Sequence, residues 1–320
     1  MRGLFAVCAG VAIGSAPNVV AQEFPPKQIT IIVGFPAGGG TDFFARVFAQ
    51  KLAPALGASV IVENRAGAAG TLGTGLVVRA APNGQTLLFT PSNLAMTQAI
   101  SRNLTFDARK DLAPITMTAK IAFVLVIHPS LPARNVKELV ALAKARPGAL
   151  DYGSSGAGSP PNFAAELFKY KAGVDIRHIP YKGAGQILTS LLAGEVQSSF
   201  LIPPIARQHM QGGKLRGLAV TTPQRSVAVP ELPTLHEAGV ADYDVTQWHG
   251  FFAPAKTPVA IINRLHTEIV KSLATPEIKQ RLVAEGAEAA GGAPAELGAF
   301  LAEEIRMWSD LAQRIRLSSE

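Results

Sequence analysis

The sequence predicts an α/β fold of two lobes, in which each lobe is a mixed sheet covered by helices. Short apolar runs alternate with longer segments whose apolar residues recur with helical spacing, a pattern typical of strands followed by helices. The alternation starts again near residue 123, and a chain of 320 residues is long enough for two domains. With 48% hydrophobic and 17% charged residues, the chain can bury a substantial core and is neither disordered nor fibrous.

The first lobe begins with two units of strand, loop and helix. Residues 29–34 form an apolar run suited to a strand buried on both faces, and residues 42–56 have the spacing of an amphipathic helix. The second unit is predicted as a strand over residues 59–63, a loop over residues 64–70 and a helix. A third strand is predicted at residues 86–90, so these units form a parallel or mixed sheet.

The same order of elements returns in the second lobe. Residues 123–127 are predicted to form a strand, and a capping asparagine begins a predicted helix over residues 136–146. Residues 150–153 form the next strand, and Pro160 or Pro161 opens the helix that follows. Residues 185–193, 196–202 and 215–221 complete the predicted second sheet domain.

The last third of the chain is predicted to be helical. Thr257-Pro258 and Thr275-Pro276 are typical helix starts, in which a capping threonine precedes a proline. Because these helices need a sheet to cover, we expect the chain to return to the first lobe. We therefore predict a first lobe of residues 22–122 plus 248–320, a second lobe of residues 123–247, and a ligand held between them. The stripe of the last helix consists of Leu297, Phe300, Leu301, Ile305, Trp308, Leu311 and Ile315.

The first 21 residues have the composition of an export signal. Arg2 provides a basic start, an apolar stretch follows, and small residues precede a predicted cleavage near Ala21. A buried N-terminal helix is the alternative interpretation. The only cysteine, Cys8, lies inside this segment, so we expect a mature periplasmic protein without disulfides.

A glycine-rich turn in each lobe is predicted to bind an anion. Residues 34–42 include Gly38-Gly39-Gly40 directly before a helix. Adjacent glycines let backbone N–H groups approach a ligand, and the helix N-terminus adds partial positive charge at the same place. Residues 154–161 form a second turn of this kind. Two such turns on facing lobes indicate a site for a small anion.

Other function classes find little support in the sequence. The 30 Lys and Arg exceed the 23 Asp and Glu, but no basic block interleaved with aromatic residues indicates nucleic-acid binding. The six histidines are scattered, so no metal site is predicted. The glycine turns match neither the Walker A pattern nor the GxGxxG dinucleotide pattern, so no cofactor is predicted. Residues 153–157 resemble a nucleophile elbow, but Ala157 replaces its final glycine and no histidine is placed by motif as the base. We therefore predict that the protein is not an enzyme.

Six segments share the order and spacing of motifs found in one known family. They are FPAGGGTD at residues 35–42, ENRAGAAG at 63–70, YGSSGAGS at 152–159, PYKGAGQ at 180–186, GKLR at 213–216 and PTLHEAG at 233–239. With these motifs the chain resembles the Bug family, the extracytoplasmic substrate-binding proteins of tripartite tricarboxylate transporters. The resemblance implies a two-lobed periplasmic-binding-protein (Venus flytrap) fold that closes on a small organic acid and delivers it to membrane transporter subunits. We expect the protein to be a monomer.

The resemblance also implies which residues hold the ligand. In similar proteins, backbone N–H groups and hydroxyls of two facing loops bind the carboxylate, and Ser92 here matches a hydroxyl position near the ligand. Asp42 is equally well explained as a helix cap or first-turn acid, and the serines of the second loop could simply cap the next helix. The candidate ligand-binding residues are Phe35, Ala37, Gly39, Gly40, Thr41, Asp42, Ser92, Ser154, Ser155, Gly156, Ala157, Gly158, Ser159 and Leu201.

Two departures from the family pattern bear on the ligand. Leu201 stands where similar proteins often carry Asp, and Asn162 stands where many place His. Since a leucine cannot receive an amino or hydroxyl group, we expect a less polar carboxylate, aromatic or alkyl, rather than an amino acid or citrate. The alternative function is a ligand sensor that presents its carboxylate to a membrane sensor kinase, and an exported hydrolase is a remote one.

Overall fold

The computed structural model describes residues 24–25, 27–101 and 103–315, so the predicted export signal lies outside the described residues. The strands are β1 (Gln28–Val33), β2 (Ser59–Asn64), β3 (Thr86–Pro91), β4 (Leu112–Ala122), β5 (Val124–Ile127), β6 (Asp151–Ser154), β7 (Arg177–Pro180), β8 (Ser198–Leu201), β9 (Arg216–Val220), β10 (Thr246–Pro254) and β11 (Ala287–Ala289). The helices are α1 (Gly40–Leu56), α2 (Thr71–Val78), α3 (Asn93–Ile100), α4 (Ala108–Asp111), α5 (Val136–Ala145), α6 (Pro160–Ala172), α7 (Ala184–Ala193), α8 (Pro203–Gln211), α9 (Val259–Leu273), α10 (Pro276–Ala284) and α11 (Pro294–Ile315), and a 3-10 turn covers Ala68–Gly70.

The strands form one sheet in each lobe. The lobe 1 sheet has the order β11-β4-β10-β3-β1-β2, in which β1 is parallel to β2 and β3, and β10 is antiparallel to β3 and β4. The lobe 2 sheet has the order β7-β6-β8-β5-β9, in which β6 is parallel to β7 and β8, and β5 is antiparallel to β8 and β9. Both sheets are therefore mixed, as the sequence predicts.

Two neighbouring segments connect the lobes. Phe123 alone separates β4 of the first sheet from β5 of the second. Its N–H donates to Thr221 Oγ1 at 2.8 Å, and the Thr221 N–H donates back to its carbonyl oxygen at 3.0 Å. The Val245 N–H, directly before β10, donates to Thr221 O at 3.0 Å. Backbone hydrogen bonds therefore hold the two connections side by side, which is the arrangement of a hinge.

The packing of α1 on the first sheet fixes the position of the loop that precedes it. Phe44, Val47, Phe48 and Leu52 form the buried face of α1 and pack against the β1 residues Ile29, Ile31 and Val33. Burying each such side chain contributes roughly 1.5–3 kcal/mol. The start of α1 is thereby held against the end of β1, where the first glycine turn lies.

The last helix joins the two lobes. Trp308 of α11 is fully buried, and its ring lies 4.8 Å from that of Phe163 in α6 of lobe 2. One turn earlier, Glu304 is 5% exposed and accepts the Trp248 Nε1–H at 2.5 Å. Burial raises the pKa of the Glu304 carboxyl to about 8, since the indole hydrogen bond offsets only part of the loss of water. The carboxyl is therefore mainly protonated at pH 7.

Candidate ligand-binding cleft

A cleft of about 440 Å³ contains residues of both glycine turns. We call residues 35–42 loop 1 and residues 154–159 loop 2. The candidate residues that line the cleft are Phe35, Thr41, Ser155, Ala157, Gly158, Ser159 and Leu201. The candidates outside the lining are Ala37, Gly39, Gly40, Asp42, Ser92, Ser154 and Gly156. The other lining residues are Ala69, Pro91, Asn93, Phe123, Pro160, Pro161, Ala184, Ile187, Phe200, Ile202, Ile205 and Gln247.

Loop 1 presents free backbone donors. Gly38 has a φ of +82°, which favours glycine, and its N–H donates to Asp42 Oδ2 at 2.9 Å. The first N–H of α1 that bonds back along the chain belongs to Phe43. The N–H groups of Gly40 and Thr41 thus have no acceptor within the described part of the chain. Since the helix terminus adds partial positive charge here, loop 1 can bind a carboxylate.

The Asp42 carboxylate stabilises loop 1 by accepting several hydrogen bonds. Besides the Gly38 N–H, the carboxylate accepts Arg46 Nε–H at 3.0 Å and Asn64 Nδ2–H at 2.9 Å. Asn64 also donates to Phe35 O at 3.1 Å. Burial raises the pKa of the Asp42 carboxyl, but the hydrogen bonds that it accepts outweigh burial and hold the pKa below its ordinary value. These contacts agree with the interpretation of Asp42 as a first-turn acid that shapes the loop.

Loop 2 is stabilised by an equivalent hydrogen bond, which the uncharged side chain of Asn162 accepts. Gly158 has a φ of +78°, and its N–H donates to Asn162 Oδ1 at 3.0 Å, again four residues along the chain. Asn162 Nδ2 donates to the Tyr152 hydroxyl at 2.7 Å, which in turn donates to Glu166 Oε1 at 2.6 Å. Asn162 therefore shapes loop 2 as Asp42 shapes loop 1, a role that the sequence analysis did not assign to it.

Ser154, the first residue of loop 2, does not line the cleft. It is fully buried, its Oγ lies 2.6 Å from His178 Nε2, and it accepts the Gly156 N–H at 3.2 Å. The His178 ring stacks on Tyr152 at 4.8 Å, and burial lowers the pKa of the imidazole. Ser154 thus supports the loop rather than facing the cleft.

The two loops differ in the donors that they offer. α6 begins with Pro160 and Pro161, and because proline has no N–H, the first two backbone donors of this helix are absent. The Ser159 hydroxyl donates to Gly156 O at 2.7 Å, within its own loop. Ser155 is exposed and carries the other hydroxyl of loop 2 on the lining. At the start of its helix, loop 1 consequently offers two backbone donors, those of Gly40 and Thr41, that the start of α6 lacks.

The lobe 2 side of the cleft is largely apolar. Phe200, Leu201 and Ile202 come from the end of β8, and Ile187 and Ile205 come from the helices beside it. Leu201 is 4% exposed. Such a surface stabilises the apolar part of a ligand by removing it from water.

Ser92 lies behind the cleft. It is fully buried between the lining residues Pro91 and Asn93, and its N–H donates to Trp248 O at 3.0 Å. Its hydroxyl has no partner among the residues that the structure describes. A direct contact between Ser92 and a ligand stays a prediction.

His249 is a residue near the site that the sequence analysis did not single out. It lies in β10 with 2% exposure, and its Nε2 is 3.3 Å from Oγ1 of the lining residue Thr41. Burial lowers the pKa of its imidazole to about 4, so the ring is neutral at pH 7. No sequence motif links this histidine to loop 1, because β10 lies more than 200 residues further along the chain.

The family profile described as "Tripartite tricarboxylate transporter family receptor" matches residues 44–317. The chain belongs to this family. Protein BugT of Bordetella pertussis is 35% identical to this receptor over 313 residues, covering 97% of this chain and 95% of the relative. The resemblance to Bug-type receptors is therefore confirmed.

Solved structures share the fold of this receptor. R. palustris Rpa4515 with adipate has a TM-score of 0.79 at 32% identity, covering 92% of this chain and 99% of that chain. MatC from Rhodopseudomonas palustris with bound malate has a TM-score of 0.76 at 29% identity, covering 90% of this chain and 99% of that chain. The predicted two-lobed periplasmic-binding-protein fold is confirmed.

The described part of the receptor lacks both a metal-binding cluster and a membrane-spanning helix. Within residues 24–25, 27–101 and 103–315, no group of three or more His, Cys, Asp or Glu side chains is arranged to hold a metal ion. None of the helices in the same residues has the length and apolar character needed to cross a membrane.

Proposed function

We propose that this receptor is a monomeric periplasmic protein that holds a small, weakly polar organic carboxylate between its lobes and delivers it to the membrane subunits of a tripartite tricarboxylate transporter. The lobes are residues 22–122 plus 248–320 and residues 123–247. One observation carries the proposal: Thr41, whose N–H is unpaired at the start of α1, and the apolar residues at the end of β8 line the same cleft.

The charged end of the ligand is assigned to loop 1. A carboxylate can accept charge-assisted hydrogen bonds from the Gly40 and Thr41 N–H groups and from the Thr41 hydroxyl. Binding by such donors avoids the desolvation of a buried arginine. The solved relatives named with adipate and malate both carry organic acids, which supports a carboxylate as the ligand of this chain.

The remainder of the ligand is assigned to the lobe 2 wall. The side chains of Phe200, Leu201 and Ile202 offer no acceptor for an ammonium or hydroxyl group, and a polar group without a partner there loses its hydrogen bonds to water. An aromatic or alkyl acid therefore fits this wall better than an amino acid or citrate.

Binding rather than catalysis is the function that fits loop 2. In loop 2, the serine that contacts a histidine is Ser154, whose side chain is fully buried. The exposed hydroxyl belongs to Ser155, and no imidazole contacts it within the described residues. A nucleophile needs both access to the substrate and a base within hydrogen-bond reach, and neither serine has both.

Calorimetric titration of the ligand-free protein with a panel of acids tests the proposal. We expect hexanoate and phenylacetate to bind at least roughly tenfold more tightly than aspartate or citrate, a difference of about 1.4 kcal/mol. Phenylacetamide, which has the same ring and no carboxylate, is the control and should not bind. Tight binding of citrate or aspartate with no response to the aromatic acid would contradict the proposed ligand class.

A further inference from the structure

His249 lies directly behind the part of loop 1 that faces the cleft. Its ring packs against Phe44, at a centroid distance of 5.3 Å, and stacks on Phe89, at 5.6 Å with the planes 13° apart. Two aromatic neighbours therefore restrain the ring. Its Nε2 approaches Thr41 Oγ1 at 3.3 Å, and Thr41 lines the cleft. This is the polar contact of the ring within the described residues.

The neutral imidazole has one N–H, and the surroundings decide which nitrogen carries it. Nδ1 of His249 is buried and has no hydrogen-bond partner in the described ranges of the chain. A proton on Nδ1 would leave a buried donor without an acceptor, whereas a proton on Nε2 leaves only an unpaired lone pair. Buried N–H groups without an acceptor are rarer in proteins than under-used acceptors. The Nε2–H form is therefore favoured, and it donates to Thr41 Oγ1.

This hydrogen bond determines what Thr41 offers to the cleft. A hydroxyl has one proton, and when its oxygen accepts from His249 the proton remains free to point elsewhere. In the opposite arrangement the Thr41 hydroxyl would donate to the ring and present its lone pairs to an anion, which repels a carboxylate.

We infer that His249 is a positioning residue that makes the Thr41 hydroxyl a hydrogen-bond donor to the carboxylate of the ligand. The inference rests on the proposed function, because it requires an acid at loop 1. It adds to loop 1 a side-chain donor whose direction is set from behind, beside the backbone donors of Gly40 and Thr41.

A double-mutant cycle tests the inference. His249→Phe keeps an aromatic ring against Phe44 and Phe89 but removes the donor, and Thr41→Val removes the hydroxyl. We expect each single variant to bind the best carboxylate of the panel roughly tenfold more weakly, and the double variant to bind no more weakly than Thr41→Val alone. If the two losses multiply in the double variant, His249 acts only through packing and the inference is overturned.

A measurement on the unmutated protein tests the inference even if the variants misfold. Nitrogen-15 NMR of the imidazoles in the ligand-free protein should show His249 as the neutral Nε2–H form at pH 7, and an Nδ1–H form would overturn the inference. Failure of the wild-type protein to bind any acid counts against the proposed function instead, since the tautomer is measured without ligand.

Discussion

Replacing Glu304 by glutamine is expected to abolish a loss of stability that the wild-type protein suffers as the pH rises. The folded-state pKa of about 8 lies above the ordinary value of 4.5, so the folded protein binds more protons than the unfolded chain between these values. The free energy of unfolding contributed by this group is therefore fully present below pH 4.5. It declines by up to about 1.4 kcal/mol per pH unit and is lost above pH 8. Glutamine keeps an oxygen for the Trp248 Nε1–H but cannot ionise.

Urea unfolding of the two proteins at several pH values between 5 and 8.5 measures the effect. The variant should match the wild type at pH 5 and exceed it at pH 8.5. The buried His249 makes the free energy of unfolding rise with pH between pH 4 and 6.5. Because His249 is present in both proteins, this contribution cancels in their difference. Glu303→Gln is the matched control, because Glu303 is exposed and paired with Arg306. An equal pH dependence in wild type and Glu304→Gln would show that Glu304 is ionised in the fold.

Replacing Asp42 by alanine is expected to disrupt loop 1 and to weaken carboxylate binding at least tenfold. The substitution removes the acceptor of the Gly38 N–H and leaves Asn64 and Arg46 without their shared partner. We expect a loss of roughly 2–4 kcal/mol in the free energy of unfolding, since these hydrogen bonds involve a charged group. Affinity falls because the N–H groups of loop 1 are no longer held in position.

Two further variants show whether the effects of Asp42→Ala come from the lost hydrogen bond within loop 1 or from the lost ion pair with Arg46. Asp42→Asn should retain most of the affinity, because Asn162 holds loop 2 through an equivalent hydrogen bond. Arg46→Ala should change stability by less than about 1 kcal/mol, because the Arg46 side chain is half exposed. If Asp42→Ala binds the acid as tightly as the wild type, the carboxylate does not shape the anion site.

The two turns could be predicted from the sequence because their signals are local. In each lobe a short strand, a glycine turn and an amphipathic helix follow one another within about 30 residues, the usual extent of such a unit. The glycines 38 and 158 have left-handed φ values, and the adjoining helices begin at Gly40 and Pro160. Apolar periodicity and turn chemistry were sufficient for this part of the fold.

Strands β4 and β10 were missed because their pairing is not local. β10 lies between β3 and β4 in the sheet, far from both in sequence, and it contains glutamine, histidine and glycine, which weaken a strand signal. In β4, Thr116 and Thr118 are buried and donate to Gly292 O and His249 O, so polar residues occupy core positions. Tertiary hydrogen bonds, rather than a sequence pattern, make these positions suitable.

The candidate site also contains residues whose positions follow from local sequence signals and residues whose positions do not. Thr41, Ser155 and Leu201 lie on the cleft, and their positions follow from the turns and the strand end that contain them. Asp42 and Ser154 support the loops from behind, and a sequence does not show which side of a turn a short polar side chain faces. His249 reaches the site only through the sheet order, so no local pattern could have indicated it.

A crystal structure of the receptor with its best-binding acid is the most direct test of the central claim that loop 1 holds the charged end of the ligand. We predict one carboxylate within hydrogen-bond distance of the Gly40 and Thr41 N–H groups and the Thr41 hydroxyl, with the apolar part of the acid against Leu201 and Phe200. A carboxylate placed at the Leu201 end of the cleft, or an acid bound outside it, would contradict this account.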